Sequence, residues 1–441
     1  MKLSRKFVVL AVVAVMLILA ACGNAGSEGK GQDQSGAPGD PIKLKFMWWG
    51  GDARNEATYK AIDAYMAKHP NVKIEGQVEA WDTYFEKLLT QIASNSAPDI
   101  IQLDYQFVPD LINQGKPFVN MLELQDRIDM SGFDMDFAKR YGGGSDYLIG
   151  LPTGVNGISN IFNVELAKKM GIDMSKSDTW DFEDLITIGQ EVNKQDPDKY
   201  FIYFKKELQI ILVKVLLKQK TGHNLINDDY TLGFTRDEMV NIFQYIRRLV
   251  DTKTVPPFEI GTVYETQIAD NPDWLNERYV MTGTYASLIG TFIDASPFEI
   301  DSTRFFVTDD PADEAIPATP TNILSINNRS SHVDAAADFL DWFYNDEEAI
   351  EILGDVRGVP AVSKARDQLE KNNKIRPQIT KGVNYALEWT GLPDNGPSLN
   401  TEITNRLLDY IHQVGYNRMT PEQATDELMK ELNQILGTLK K

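Results

Sequence analysis

Apolar side chains recur at every second position from Ile42 through Leu44 and Phe46 to Trp48, which is the period of a β-strand. Gly50-Gly51-Asp52 breaks the alternation. A stripe of Ala57, Ala61, Ile62, Tyr65 and Met66 then predicts a helix ending near His69-Pro70. Val72 to Val78 reads as a second strand. Tyr84, Phe85, Leu88, Leu89 and Ile92 form a second helical stripe, and Ile100 to Leu103 make a third strand entered through Pro98-Asp99. Strands alternating with helices of this length predict a parallel sheet with helical crossovers. Ligands of such sheets sit beyond the carboxyl ends of the strands. Here those ends are Trp48-Trp49-Gly50-Gly51, Glu79-Ala80-Trp81-Asp82 and Asp104-Tyr105-Gln106, so three neighbouring loops bring aromatic and acidic groups to one edge.

The texture then changes. Residues 180–251 read as mostly helical, with loops at Asp196-Pro197-Asp198 and Thr221-Gly222-His223-Asn224. The run 210–217 is broken by Lys214 and reads as a buried helix rather than a membrane span. Residues 310–320 predict a loop and 321–326 a strand. Val333, Ala336, Ala337, Leu340, Phe343 and Tyr344 mark an amphipathic helix, and a last helix starts at Pro421 with Ala424, Leu428, Leu432 and Ile435 on its face. No repeat with the period of a solenoid or propeller is present.

Ahead of the first strand lies a different kind of segment. Lys2, Arg5 and Lys6 precede an apolar run over residues 7–20, the layout of an export leader. Leu19-Ala20-Ala21-Cys22 has the form of a bacterial lipobox, and Cys22 is the only cysteine of the 441 residues, so it has no internal disulfide partner. Residues 1–21 are expected to be removed and Cys22 to be lipidated. Residues 22–41, rich in Gly, Ser, Asp and Gln, then form a flexible tether. Two acyl chains anchor a protein stably where one does not. The site expected is the outer face of the cell membrane.

The net charge of −20 disfavours nucleic acid and anionic lipid headgroups as partners. The length calls for two or more lobes. His69, His223, His332 and His412 are scattered without ligand spacing, so neither a metal nor a cofactor is expected. Gly50-Gly51 lacks the spacing of a phosphate loop. Neither a Gly-x-Ser-x-Gly nor a His-Glu-x-x-His motif is present, so no catalytic residue is assigned. A glycosidase's pair of carboxylates is not local in sequence, and a membrane-anchored glycosidase or polysaccharide lyase stands as the alternative reading.

Tryptophan is the informative residue. A sugar ring offers an apolar C–H face to an aromatic platform and a rim of hydroxyls to carboxylates and amides. Trp48, Trp49, Trp81, Trp274 and Trp389 lie in or beside predicted loops. Trp48 shares the inward parity of Ile42, Leu44 and Phe46. Trp49 has the other parity and borders the glycines, which favours it as a platform. Trp180 and Trp342 read as structural.

Several segments together resemble the extracellular solute-binding proteins of ATP-driven sugar importers, the group that contains maltose-binding protein. Trp48-Trp49-Gly50-Gly51-Asp52-Ala53-Arg54-Asn55-Glu56-Ala57-Thr58 is similar to members that bind oligosaccharides, including oligogalacturonides. Leu88-Leu89-Thr90-Gln91-Ile92-Ala93 and Ala97-Pro98-Asp99-Ile100-Ile101-Gln102-Leu103-Asp104 add to the match. Gly150-Leu151-Pro152-Thr153-Gly154-Val155-Asn156-Gly157 and Arg357-Gly358-Val359-Pro360-Ala361 resemble the family's first and last interlobe crossovers. Met281-Thr282-Gly283-Thr284-Tyr285 departs from the pectic-sugar binders.

The resemblance implies an α/β, two-lobe periplasmic-binding-protein-like fold with a mostly parallel sheet in each lobe. The lobes map to 42–152 plus 304–355 and to 154–300 plus 360–441. Three crossovers are expected near Pro152-Thr153, at 300–304 and at Gly358-Val359-Pro360. It implies hinge closure on an oligosaccharide and delivery by a monomer to permease subunits. By position in the motifs, Trp48, Trp49, Asp52, Arg54, Trp81, Asp104 and Tyr105 would contact sugar from the first lobe. Asn156, Trp274, Tyr285 and Arg357 would do so from the crossovers or the second lobe.

Overall fold

The computed structural model describes residues 41–113, 115–258 and 271–440; the expected leader, Cys22 and all of the expected tether but Pro41 lie outside the described residues. Among the described residues, eleven strands are distributed over two sheets. They are β1 (Ile42–Trp48), β2 (Val72–Val78), β3 (Ile100–Leu103), β4 (Leu151–Pro152), β5 (Gly154–Asn163), β6 (Tyr200–Tyr203), β7 (Tyr279–Tyr285), β8 (Ile300–Thr303), β9 (Ala318–Pro320), β10 (Ile323–Ile326) and β11 (Val359–Pro360).

The first sheet runs β2-β1-β3-β10-β4. Its β1–β2 and β1–β3 pairs are parallel, as strand–helix alternation requires, with Ile42 opposite Val72 and Trp48 opposite Val78. β10 enters antiparallel between β3 and β4. Helix Asp52–Lys68 buries Ala57, Thr58, Ala61, Ile62 and Tyr65, the expected stripe with Thr58 added. Helix Val333–Asn345 buries Phe339, Leu340 and Phe343, and Phe46 meets Phe339 and Phe343 edge-on at 6.1 Å.

The second sheet runs β11-β5-β7-β6, with β8 and β9 also on β5. The ten residues of β5 are buried except for Asn156, and they serve four antiparallel partners. Only β6–β7 is parallel there. Neither sheet is mostly parallel, contrary to expectation: β7, β8 and β9 run antiparallel to β5 within their own lobe, while β10 and β11 dock antiparallel after crossing from the other lobe. Helices Lys206–Thr221, Arg236–Asp251, Thr401–Gly415 and Pro421–Leu439 pack together on this lobe. The last opens on Pro421 in its first turn, and Thr420 closes a capping box with Gln423.

The chain passes between lobes at Thr153, at Thr321-Asn322 and near Arg357-Gly358. The second passage comes later than residues 300–304. Residues 304–320 stay with the second lobe, where β9 pairs with β5 and the Phe306 carbonyl accepts from Gln219 at 3.0 Å. The passages bond to one another: Thr153 N–H donates to Asn322 O at 2.9 Å, Thr321 N–H to Gly154 O at 3.0 Å, and Ala361 N–H to Thr153 O at 3.2 Å. Packing at this knot demands glycine. A Cβ on Gly154 would meet Arg357 O at 2.5 Å, and Gly358, at φ +91°, would meet Thr321 Cγ2 at 2.4 Å. Among the described residues no helix is long and apolar enough to cross a membrane.

Candidate functional site

A cavity of about 490 Å³ lies between the lobes. Its first-lobe wall is Tyr105 and Tyr141. Tyr105 opens the 3-10 turn Tyr105–Phe107 directly after β3, and Asp104 caps that turn by accepting from Gln106 N–H at 2.9 Å. The two tyrosine rings meet edge to face at 5.3 Å. Burial raises the Asp104 carboxyl above its ordinary value.

The facing wall comes from β5, β7, helix Lys206–Thr221 and residues 391–394. Asn156 Oδ1 accepts from Ser287 N–H at 3.3 Å. Tyr285 O–H donates to Glu207 Oε1 at 2.6 Å, and Lys205 Nζ reaches Glu207 Oε2 at 2.7 Å while sitting 5.5 Å from the Tyr285 ring centre. Burial, with Glu207 beside it, pushes the Tyr285 phenol far up. Burial also pushes Glu207 up, but Lys205 and the Tyr285 hydroxyl overcome that and hold it below the usual carboxylate value.

Lys214 and Lys218 share Asp394 at 2.7 and 2.6 Å, and each also donates to a carbonyl: Ser398 O at 2.8 Å and Leu392 O at 2.7 Å. The two lysine side chains are only 8% and 5% exposed. Burial raises the Asp394 carboxyl, and the two ammonium groups outweigh it and leave the carboxyl low. Burial dominates at Lys218 and lowers it.

Beside the cavity stands an aromatic shelf. Trp49 follows β1 and meets Tyr84 at 4.6 Å and Trp81 at 5.0 Å. Trp81 is 48% exposed and nearly parallel to Phe107 at 5.8 Å, which in turn stacks on Phe85 at 3.9 Å. Phe107 shares its turn with Tyr105, so shelf and cavity meet there. Asp52 begins its helix exposed to solvent and is absent from the cavity lining.

Three of the sequence-assigned contacts are core residues instead. Trp48 is fully buried because its parity is that of Phe46; its indole N–H donates to Asn55 Oδ1 at 2.9 Å, and its ring packs on Phe46 and Tyr59. Trp274 is 1% exposed, between Phe292 and Phe298, with its N–H on Ser296 Oγ at 2.8 Å. Arg357 is 4% exposed and donates to Thr58 Oγ1 at 2.8 Å and to Gln102 Oε1, with its guanidinium over Phe46 and Phe343. Burial, reinforced by the charge of Arg54, lowers Arg357 to about 9. Arg54 is tied to Trp49 O at 3.2 Å and Val356 O at 3.1 Å, so it straps the glycine loop to the last passage.

Tyr105, Asn156 and Tyr285 are thus brought together at the cavity, while Trp49, Trp81 and Asp104 form its shoulder. Tyr141, Glu207, Lys214, Lys218 and Asp394 escaped sequence reading. One signal existed: like charges at i,i+4 in an apolar helix are unfavourable without a counter-ion between them. Among the described residues no group of His, Cys, Asp and Glu is placed to hold a metal ion.

A cavity framed by two α/β lobes on three linked passages is the architecture of a solute-capturing protein. The model of the bacterial extracellular solute-binding protein family matches residues 51–350, and the chain belongs to that family. A family 1 extracellular solute-binding protein from Alicyclobacillus acidocaldarius superposes with a TM-score of 0.79 at 23% identity, covering 90% of this chain and 99% of that one. A periplasmic oligogalacturonide binding protein from Yersinia enterocolitica gives 0.73 at 23% identity, covering 91% and 100%. An uncharacterized lipoprotein from Streptomyces antibioticus is 33% identical over 100 residues, a match spanning 22% of this chain and only 20% of that relative.

Proposed function

We propose that this protein captures an oligosaccharide between its lobes and delivers it to the permease of an ATP-driven importer. The observation that carries this is the cavity itself: tyrosine faces on both walls, with Asn156, Glu207 and Asp394 offering hydrogen bonds to a hydroxyl rim. Family membership and the Yersinia neighbour support it. The solute leaves chemically unchanged. Closure is driven by contacts that exist only when the lobes meet. The Streptomyces lipoprotein and the Leu19-Ala20-Ala21-Cys22 sequence support a lipid anchor at Cys22 on the outer membrane face.

The charge of the second-lobe wall bears on whether the sugar is neutral or carries carboxylates. Lys205, Lys214 and Lys218 stand against Glu207 and Asp394, with Asp313 also acting on Lys218, so this wall is close to charge balance and its lysines are the groups a carboxylate-bearing sugar would meet. The test is calorimetry of the purified chain against neutral oligosaccharides and galacturonate oligomers, with solution scattering alongside. Binding should contract the radius of gyration and return intact sugar. A ligand at a hundred times its Kd adds about 2.7 kcal/mol of stability. No thermal shift with any sugar would end the carbohydrate reading. A cleaved product tracking with the protein would replace it with the enzyme reading.

A further inference from the structure

We infer that Arg140 is a positioning residue for solute capture, a latch that holds the lobes together without touching the solute; this rests on the capture reading above. Arg140 lies on helix Met135–Gly142, which packs on β4 of the first lobe. Its Nη1 crosses the cleft and donates to Thr390 O at 2.7 Å and to Gly391 O. Those carbonyls follow helix Pro377–Glu388, which packs on β5 and β8 of the second lobe. Opening the cleft must break this contact.

The segment it grips is otherwise held by its own lobe. Leu392 N–H donates to both Asp313 carboxylate oxygens at 2.9 Å, Pro393 O accepts from Asn224 at 3.0 Å, and Asp394 is clamped by Lys214 and Lys218. Gly391 is pinned so closely that a Cβ would meet Asp313 Oδ1 at 2.0 Å and Ala315 N at 2.1 Å. The segment is therefore a rigid strap. Residues 391–394 of that strap line the cavity, and so does Tyr141, the neighbour of Arg140. Solute contact and latch contact are thus carried by the same two elements, and one favours the other. Arg140 itself is absent from the cavity lining.

A contact made only in the closed state scales apparent affinity by the closed fraction, whatever the solute. Arg140→Ala should weaken Kd about 3- to 20-fold, the range of one charged hydrogen-bonding group discounted for its exposure. The loss should fall on the dissociation rate and be equal for every sugar that wild type binds. The full-length chain is measured by calorimetry and stopped-flow fluorescence against a neutral and a galacturonate oligosaccharide, with unliganded melting recorded beside them. Arg140→Lys, which keeps one donor, should recover part of the loss and serves if Arg140→Ala does not fold. Wild-type affinity in both variants overturns the latch. A loss that differs between the two sugars also overturns it, because it shows that Arg140 touches solute. A wild type that binds no sugar overturns the capture reading itself, and the latch with it.

Discussion

Replacing Asp394 with asparagine keeps the shape of the side chain and removes the one charge between two buried ammonium groups. Lys214 and Lys218 would then face each other at the base of the cleft at 8% and 5% side-chain exposure with no carboxylate in contact, Asp313 acting on Lys218 only from farther off. Breaking a buried ion pair in this one-sided way costs about 3–5 kcal/mol. Each lysine retains a carbonyl partner, Ser398 O or Leu392 O, which places the expected loss near the lower end, about 3 kcal/mol. At roughly 2.1 cal/mol/K per residue over about 400 folded residues, that is a fall in Tm of about 4 °C. The assay is scanning calorimetry of wild type and variant across pH. The Asp394 carboxyl is held below its usual value in the fold, so its contribution is present above the unfolded value of 3.8 and fades as pH falls below it. The gap between wild type and variant should therefore narrow in acid. Lys218 is already lowered from 10.5, so the unfolded chain holds that proton more tightly than the fold does. Stability of the variant should accordingly rise as pH climbs toward 10.5. Lys218→Met should cost less in the Asp394→Asn background than in wild type. A variant that melts within about 1 °C of wild type at neutral pH would refute the argument, because the carbonyls alone would then satisfy both lysines.

Other outcomes separate site from scaffold. Trp81→Ala, at a half-exposed shelf, should weaken sugar binding by about 1–3 kcal/mol in calorimetry and leave Tm nearly unchanged. Trp48→Ala and Trp274→Ala, both buried, should each cost about 3–5 kcal/mol in denaturant unfolding and spare the affinity of the folded fraction. Glu351, held at about 2 by Lys374, Gln368 and Asn372, stabilises the fold above pH 4.5 and loses that contribution as pH falls toward 2. Glu351→Gln should flatten the acid limb of the melting curve by about 1–2 kcal/mol, allowing for solvent screening.

The first sheet was legible because β1 alternates from Ile42 to Phe46 and the two early helices carry apolar stripes, while β3, buried at all four residues, was marked by its short apolar run after Pro98-Asp99. Strand, stripe and strand run from Ile42 to Leu103, and the loop ends that carry Trp49, Trp81 and Tyr105 follow from it. Parity already marked Trp48 as inward. What sequence could not show was pairing at a distance. Asp394 meets lysines 176 and 180 residues away, and Arg140 meets carbonyls 250 residues on. β5 is buried along almost its whole length, so it carries no alternation to read. Trp274 and Arg357 sit in loop-like sequence, where nothing local reports that a lobe closes over them.

The place of β10 sets the order in which the molecule can assemble. It lies between β3 and β4, yet it comes from residues 323–326, long after both neighbours. Until that segment arrives, β3 and β4 have no shared partner, and the first lobe has an open seam through its middle. Contacts spanning more than two hundred residues close late. A nascent chain with such a seam stays unfinished while most of its length is made. A chain cut after residue 320 would keep every earlier strand and still lack the piece that joins them.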